Sequence, residues 1–315
     1  MMNFSFGNAL THWTKTQGPV GFVWKYALAY GVVAALIAMA AIFLIGGPLI
    51  NYVQLITEIE QNGVIDEQEV LTAMAGFFLP MLLFIPIGIL FWVIFEGALQ
   101  RRYMRDEGFS LRLGADEGRL FVVGIIWIAF IMALYFGFAI LVGIVVALSA
   151  FALQGAPEAV AVISVILFLI LGIAILYFVV RFSPAAALTV RDRAIRFSSA
   201  WGATRGRVWP MFFAFVIMAI LAYILSTVLQ LVMFGVIGGT LSASGLDFTD
   251  PNANVDDVLA VLLSPVTLGI GGLVYLIMTA FQAVLQFAWA GIPALAAKTD
   301  PNWSGGTSSV DATFS

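Results

Sequence analysis

Polar and apolar residues fall in long blocks along this chain rather than at the short period of a surface helix or strand. Six runs carry no charge: residues 26–50, 71–95, 120–151, 159–180, 208–246 and 258–297. Each is at least as long as the roughly 20 residues an α-helix needs to cross hydrocarbon. In hydrocarbon every backbone amide must be bonded within its own segment, which selects helix. The first four runs are each about one tilted helix long. The last two exceed that, so each is read as one span plus a partly interfacial flank. Pro210 and Pro265 fall at the predicted starts of the fifth and sixth helices, where a missing amide costs nothing. The predicted fold is all-α: a polytopic membrane protein of six transmembrane helices.

Composition sharpens this reading. Of 315 residues, 62% are hydrophobic and 10% charged, against about 45–50% and about 25% in a soluble domain. A mean hydropathy of +1.04 excludes a water-facing enzyme, a disordered chain and a nucleic-acid binder. With no cysteine, disulfides, thiolate metal sites and thiol redox chemistry are excluded. His12 is the one histidine, so no histidine pair can hold a metal.

The basic residues set an orientation. Lys15 and Lys25 precede span one; Arg101, Arg102, Arg105, Arg112 and Arg119 follow span two; Arg181, Arg191, Arg193, Arg196, Arg205 and Arg207 follow span four; Lys298 follows span six. The loops after spans one, three and five hold no Lys or Arg, and carry acids such as Glu58, Asp66, Glu158 and Asp250. The positive-inside rule then places both termini in the cytoplasm. The apolar run of span one continues well past the small residues Ala38 and Ala40, so it is read as uncleaved.

Two segments between spans repeat. Residues 109–119 read FSLRLGADEGR and residues 197–207 read FSSAWGATRGR, with six of eleven positions identical at an offset of 88. A fainter third copy, Trp13, Thr16, Gly18 and Val20, precedes span one. Three copies divide a single integral domain, residues 1–315, into parallel two-helix repeats, about 9–97, 109–190 and 197–298, with 299–315 as a flexible tail. Each repeated segment is expected to be a short interfacial helix on the cytoplasmic side, ending at Gly118 or Gly206 where the chain turns into the bilayer.

The stretch Phe182-Ser183-Pro184-Ala185-Ala186-Ala187, then Ser199-Ala200-Trp201, then Thr204-Arg205-Gly206-Arg207-Val208-Trp209 resembles a pattern in bacterial six-span proteins. Those are similar to the membrane domain attached to some glycerophosphoryl diester phosphodiesterases. The likeness is closest over about thirty residues, and the six-span layout extends it loosely. It implies the six-helix fold. It implies no hydrolysis, because that activity belongs to a soluble barrel with paired histidines and several carboxylates, which this sequence lacks.

Chemistry-bearing groups are few. An ionisable residue in hydrocarbon marks function, yet no Asp, Glu, Lys or Arg lies mid-span. Glu96 and Arg181 stand at span ends and read as interfacial anchors. Ser226 and Gln230, and Gln282 and Gln286, each lie one turn apart in spans five and six. They form either interhelical hydrogen bonds or a polar path. The loop Asp250-Pro251-Asn252-Ala253-Asn254-Val255-Asp256 begins like a calcium loop but has Val255 where glycine is needed. It reads as a solvated acidic loop, and no metal or cofactor is expected. His12 is expected in the first interfacial helix, without a catalytic partner.

The cytoplasmic turns say more. From Arg181 to Arg207, six arginines face one acid, Asp192, for a net +5; the turn from Arg101 to Arg119 nets +1. These arginines either set topology alone or also contact anionic headgroups, each adding about 1 kcal/mol near the surface. The lipid candidates are Arg191, Arg193, Arg196, Arg205 and Arg207. The expected function is a non-enzymatic accessory or organising role, through anionic membrane lipids or a membrane-protein partner and not through nucleic acid. The alternative is a transporter or channel component for a small polar or lipid-like solute.

Overall fold

A computed structural model describes residues 3–63, 66–152, 157–245, 260–261 and 263–301. The structure is 86% helical and has no strand among the described residues, which makes the fold all-α. In chain order come α1 (Phe6–Thr11), a 3-10 turn (His12–Lys15), α2 (Phe22–Asn62), α3 (Glu67–Arg105), α4 (Ala115–Ala152) and α5 (Pro157–Phe182). Two short helices follow, α6 (Ala185–Asp192) and α7 (Ser199–Ala203), and then α8 (Val208–Ala243) and α9 (Pro265–Lys298). Among the described residues, six helices are long and apolar enough to cross a bilayer. In their most apolar windows at most 17% of residues are buried, so the hydrophobic side chains point outward, as lipid solvent requires. The chain is a multi-pass membrane protein.

Local chemistry explains where helices start and stop. Asp66 Oδ1 accepts the amides of Gln68 at 2.9 Å and Glu69 at 3.3 Å, an N-cap for α3. Glu67 and Glu69 add negative charge to its first turn. Pro265 is the first residue of α9, and Pro210 falls in the first turn of α8. The first four long helices, α2 to α5, outrun their charge-free cores, and α2 extends to 41 residues.

The chain forms two compact units. The first comprises Met1–Pro19, Glu96–Met218 and Ala288–Ser315; the second comprises Val20–Phe95 and Ala219–Phe287. In the first, Ala9 of α1 joins Val180, Met211, Ala214, Ile292 and Leu295 in one core. A second core sets Ala187 and Leu188 of α6 and Ala200 and Ala203 of α7 against Val123. An aromatic cluster borders it, with Phe182 stacked on Phe197 at 4.8 Å and Trp127 edge-on to Phe197 at 5.5 Å. In the second unit Tyr26 and Tyr30 each meet Phe95 edge to face, Tyr30 meets Phe91 in the same way, and Phe22 meets Phe287.

The repeated segments differ in conformation. Residues 199–203 form α7 as expected, and Gly206 follows it with φ +72°, a conformation that a Cβ would strain. Residues 109–113 are irregular rather than helical, and Gly118 lies inside α4 instead of ending a helix. The reason is local. Where α7 buries Ala200, the first copy has Arg112, which cannot enter an apolar core. Where the second copy has Thr204 and Arg205, the first has Asp116 and Glu117, which favour a helix N-terminus. Glu117 Oε2 accepts the Gly114 amide at 2.9 Å, half of a capping box that starts α4 at once.

Candidate functional site

The basic segment that follows α5 is built on buried small residues. Pro184 precedes α6, whose Ala185, Ala187, Leu188, Thr189 and Val190 are all buried. Thr189 Oγ1 accepts the Arg196 amide at 3.1 Å, and Phe197 lies flat on Phe182. The backbone is thereby fixed, and each arginine projects from a defined place.

The five candidate arginines divide into two groups. Arg191 donates to both carboxylate oxygens of Asp192, at 2.7 and 3.2 Å, and to the Ala297 carbonyl, with Asp300 at 3.6 Å. Arg207 donates to the Ala296 carbonyl at 3.3 Å, the Thr299 hydroxyl at 2.9 Å and the Thr299 carbonyl at 2.6 Å. These carbonyls are the ones a helix C-terminus leaves without partners, so both arginines tie down the end of α9. Thr299 and Asp300, expected at the start of a flexible tail, are held by them. Arg196 is half exposed and leans on Asp192 at 3.3 Å. Arg193 and Arg205 are exposed, and neither side chain has a hydrogen bond or ion pair among the described residues. Trp201 and Trp209, 41% and 71% exposed, stand on the same stretch of chain, amphipathic rings suited to headgroup depth.

The preceding basic turn is neutralised from within. Arg101 pairs with Glu117, and both side chains are almost fully buried. Arg105 grips Asp116 with two hydrogen bonds, at 2.7 and 3.2 Å, and donates to the Val190 carbonyl near the end of α6. Arg119 also meets Asp116, at 3.0 Å, and Arg112 meets Glu107 at 3.0 Å. Gly97 lets α3 approach this network. A Cβ there would lie 2.6 Å from Glu117 Oε1. The near-neutral charge of the turn was readable from the sequence, but the burial of Arg101 and Glu117 was not. The signal for it was Glu117 three residues after Gly114, the spacing of a capping box.

Arg181 is held more firmly than a flexible anchor. Its Nε donates to the Tyr177 hydroxyl at 3.1 Å, and Nη1 reaches the Trp201 carbonyl and Thr204 Oγ1, each at 3.3 Å. Its guanidinium lies 4.3 Å from the centre of the Trp201 ring, within cation–π range. Glu96 is partly buried and accepts from Gln100 at 2.8 Å.

The intramembrane polar residues do not gather. Gln286 accepts from the Tyr26 hydroxyl at 3.3 Å. Gln230 and Gln282 are exposed, Ser226 is half-buried, and no side-chain hydrogen bond joins the two pairs among the described residues. The i,i+4 spacing was correct, but it did not reveal which way each face points.

His12 lies in the 3-10 turn that continues α1 and is 1% exposed, stacked on Tyr103 at 5.6 Å. Neither ring nitrogen has a hydrogen-bond partner among the described residues. Burial, reinforced by Lys298 and Lys15, lowers its pKa to about 4. No group of three His, Cys, Asp or Glu side chains that could hold a metal occurs among the described residues. The calcium-like loop at 250–256 lies outside them. The chain matches no protein-family model, no curated protein and no solved structure.

Proposed function

We propose that this is a non-enzymatic protein of a bacterial inner membrane that contacts anionic phospholipid through its second basic turn, in an accessory or organising role. Both termini and all three basic segments lie on the cytoplasmic side in this reading, because the acidic loops hold no Lys or Arg. The two related segments belong to parallel two-helix repeats, and the likeness to phosphodiesterase membrane domains extends to architecture alone. The observation that carries the reading is the pair Arg193 and Arg205. Both are exposed, with no carboxylate within 4 Å among the described residues, on a segment that also exposes Trp201 and Trp209. Arg196 adds a half-exposed third charge. A guanidinium stays charged and can grip phosphate with two parallel donors.

Lipid mass spectrometry of the protein purified in mild detergent tests this. The triple variant Arg193→Gln/Arg196→Gln/Arg205→Gln should retain at least tenfold less phosphatidylglycerol and cardiolipin, since three charges contribute about 3 kcal/mol together. Wild-type retention should fall as salt is raised and the Debye length shrinks from ~10 Å at 0.1 M. The matched change Arg112→Gln, already offset by Glu107, should leave retention unaltered. Equal retention by the triple variant and wild type would reduce these arginines to topology determinants.

A further inference from the structure

A groove of about 550 Å³ runs between the end of α5 and the start of α8, within the ~300–1,000 Å³ typical of small-molecule sites. Its walls are apolar. Ile173 and Leu176 of α5 face Val208 and Phe212 of α8, with the Trp209 ring alongside. Ile173 and Leu176 are more than half exposed, so the groove opens along the surface of the helices rather than into a sealed core. Arg181, at the C-terminal end of α5, supplies the charge in its lining.

Two features separate this groove from an ordinary lipid-facing surface. The arginine is pre-positioned: Tyr177, Thr204 and the Trp201 carbonyl hold Nε and Nη1. Its Nη2 makes no hydrogen bond, and no carboxylate lies within 4 Å of the guanidinium among the described residues. A fixed cation beside hydrocarbon without a counter-ion calls for an anion. The apolar walls continue away from that charge for more than two turns of α5, from Arg181 back to Ile173. One anionic group at the end of a long apolar trough describes an amphiphile. Inorganic phosphate would leave the trough empty, and a peptide would bring backbone amides that its walls cannot satisfy.

We propose that this groove seats a single phospholipid taken from the surrounding bilayer, its phosphodiester on Arg181 Nη2 and one acyl chain along α5 and α8. The contact is with the phosphodiester that phosphatidylethanolamine and phosphatidylglycerol share. The site therefore accepts phosphatidylethanolamine as well as phosphatidylglycerol, and its existence does not depend on the anionic-lipid reading of the neighbouring turn.

Native mass spectrometry of delipidated protein, titrated separately with phosphatidylethanolamine, phosphatidylglycerol and inorganic phosphate, tests it. Wild type should show one phospholipid retained well ahead of further adducts, from either lipid, and no competition from inorganic phosphate. Arg181→Gln should weaken that first adduct about tenfold or more, as expected for loss of a charged hydrogen bond. Leu176→Trp, which fills the trough from an exposed position and leaves every charge in place, should weaken it comparably. Arg193→Gln should leave the phosphatidylethanolamine adduct unchanged. Three outcomes overturn the proposal. One is a first adduct as strong in Leu176→Trp as in wild type; another is displacement by inorganic phosphate, which would make Arg181 an anion site without a tail. The third is a binding defect confined to phosphatidylglycerol, which would assign the contact to the basic turn and remove the groove site.

Discussion

Glu117→Ala is expected to lower stability by about 3–5 kcal/mol, because it leaves Arg101 buried and charged without its carboxylate. The remaining contacts of Arg101 are the Ser110 carbonyl at 2.8 Å and Glu107 at 3.5 Å, and neither replaces a buried ion pair. The same substitution also frees the Gly114 amide at the start of α4, adding about 1 kcal/mol for a lost cap. Thermal unfolding in detergent, followed by loss of the monodisperse species, should show a fall of many degrees. The double change Arg101→Met/Glu117→Leu separates charge from packing. Replacing a buried pair by apolar side chains of similar volume is often neutral or stabilising, so most of the loss should be recovered. A double variant as unstable as Glu117→Ala would show that the shape of the network, and not its uncompensated charge, sets the cost.

The second large effect is a dependence on acid. His12 is neutral in the folded protein, with a pKa of about 4 against 6.5 when exposed. Above pH 6.5 neither state binds a proton there, and the residue contributes no slope. As pH falls through 6.5, the unfolded chain takes up a proton that the folded chain refuses. Stability then declines until pH nears 4, by on the order of 3 kcal/mol in total. Lys298 and Lys15 reinforce burial in opposing the charge, and Tyr103 stacks on the ring. His12→Phe keeps the stacked ring and removes the titration. Between pH 7.5 and 5 the wild type should lose about 2 kcal/mol more than this variant. Parallel acid limbs for the two proteins would place the acid sensitivity elsewhere.

The parts of this molecule that were legible in its sequence are those that the bilayer dictates. A helix must be apolar for about 20 residues to cross, so six charge-free runs mark six long helices without reference to packing. The near balance of charge from Arg101 to Arg119 likewise foreshadowed its ion pairs. The arginines of the second turn were harder. Arg191 and Arg193 are two residues apart and chemically identical, yet one grips the end of α9 and the other is exposed. What decides is a carbonyl 106 residues further along the chain, and nothing in the local pattern records it. Residues 109–113 misled for the opposite reason. Six identities over eleven positions hid the substitutions at Ala200 and Thr204, the ones that determine whether a short helix can pack. His12 sits in a short polar segment that reads as surface, and only the tertiary packing of α1 beside Met211 and Ile292 shows it to be interior.

The proposed division of labour among the arginines of one turn is tested most directly by a paired readout. Arg191→Gln, Arg207→Gln, Arg193→Gln and Arg205→Gln would each be measured for thermal stability and for retained anionic phospholipid per folded protein. Arg191→Gln and Arg207→Gln should lose about 1.5–3 kcal/mol of stability, the range for hydrogen bonds to a charged group, and keep their lipid. Arg193→Gln and Arg205→Gln should stay within about 0.5 kcal/mol of wild type, as exposed substitutions do, and lose lipid. Four variants with the same profile, or lipid loss confined to Arg191 and Arg207, would contradict it.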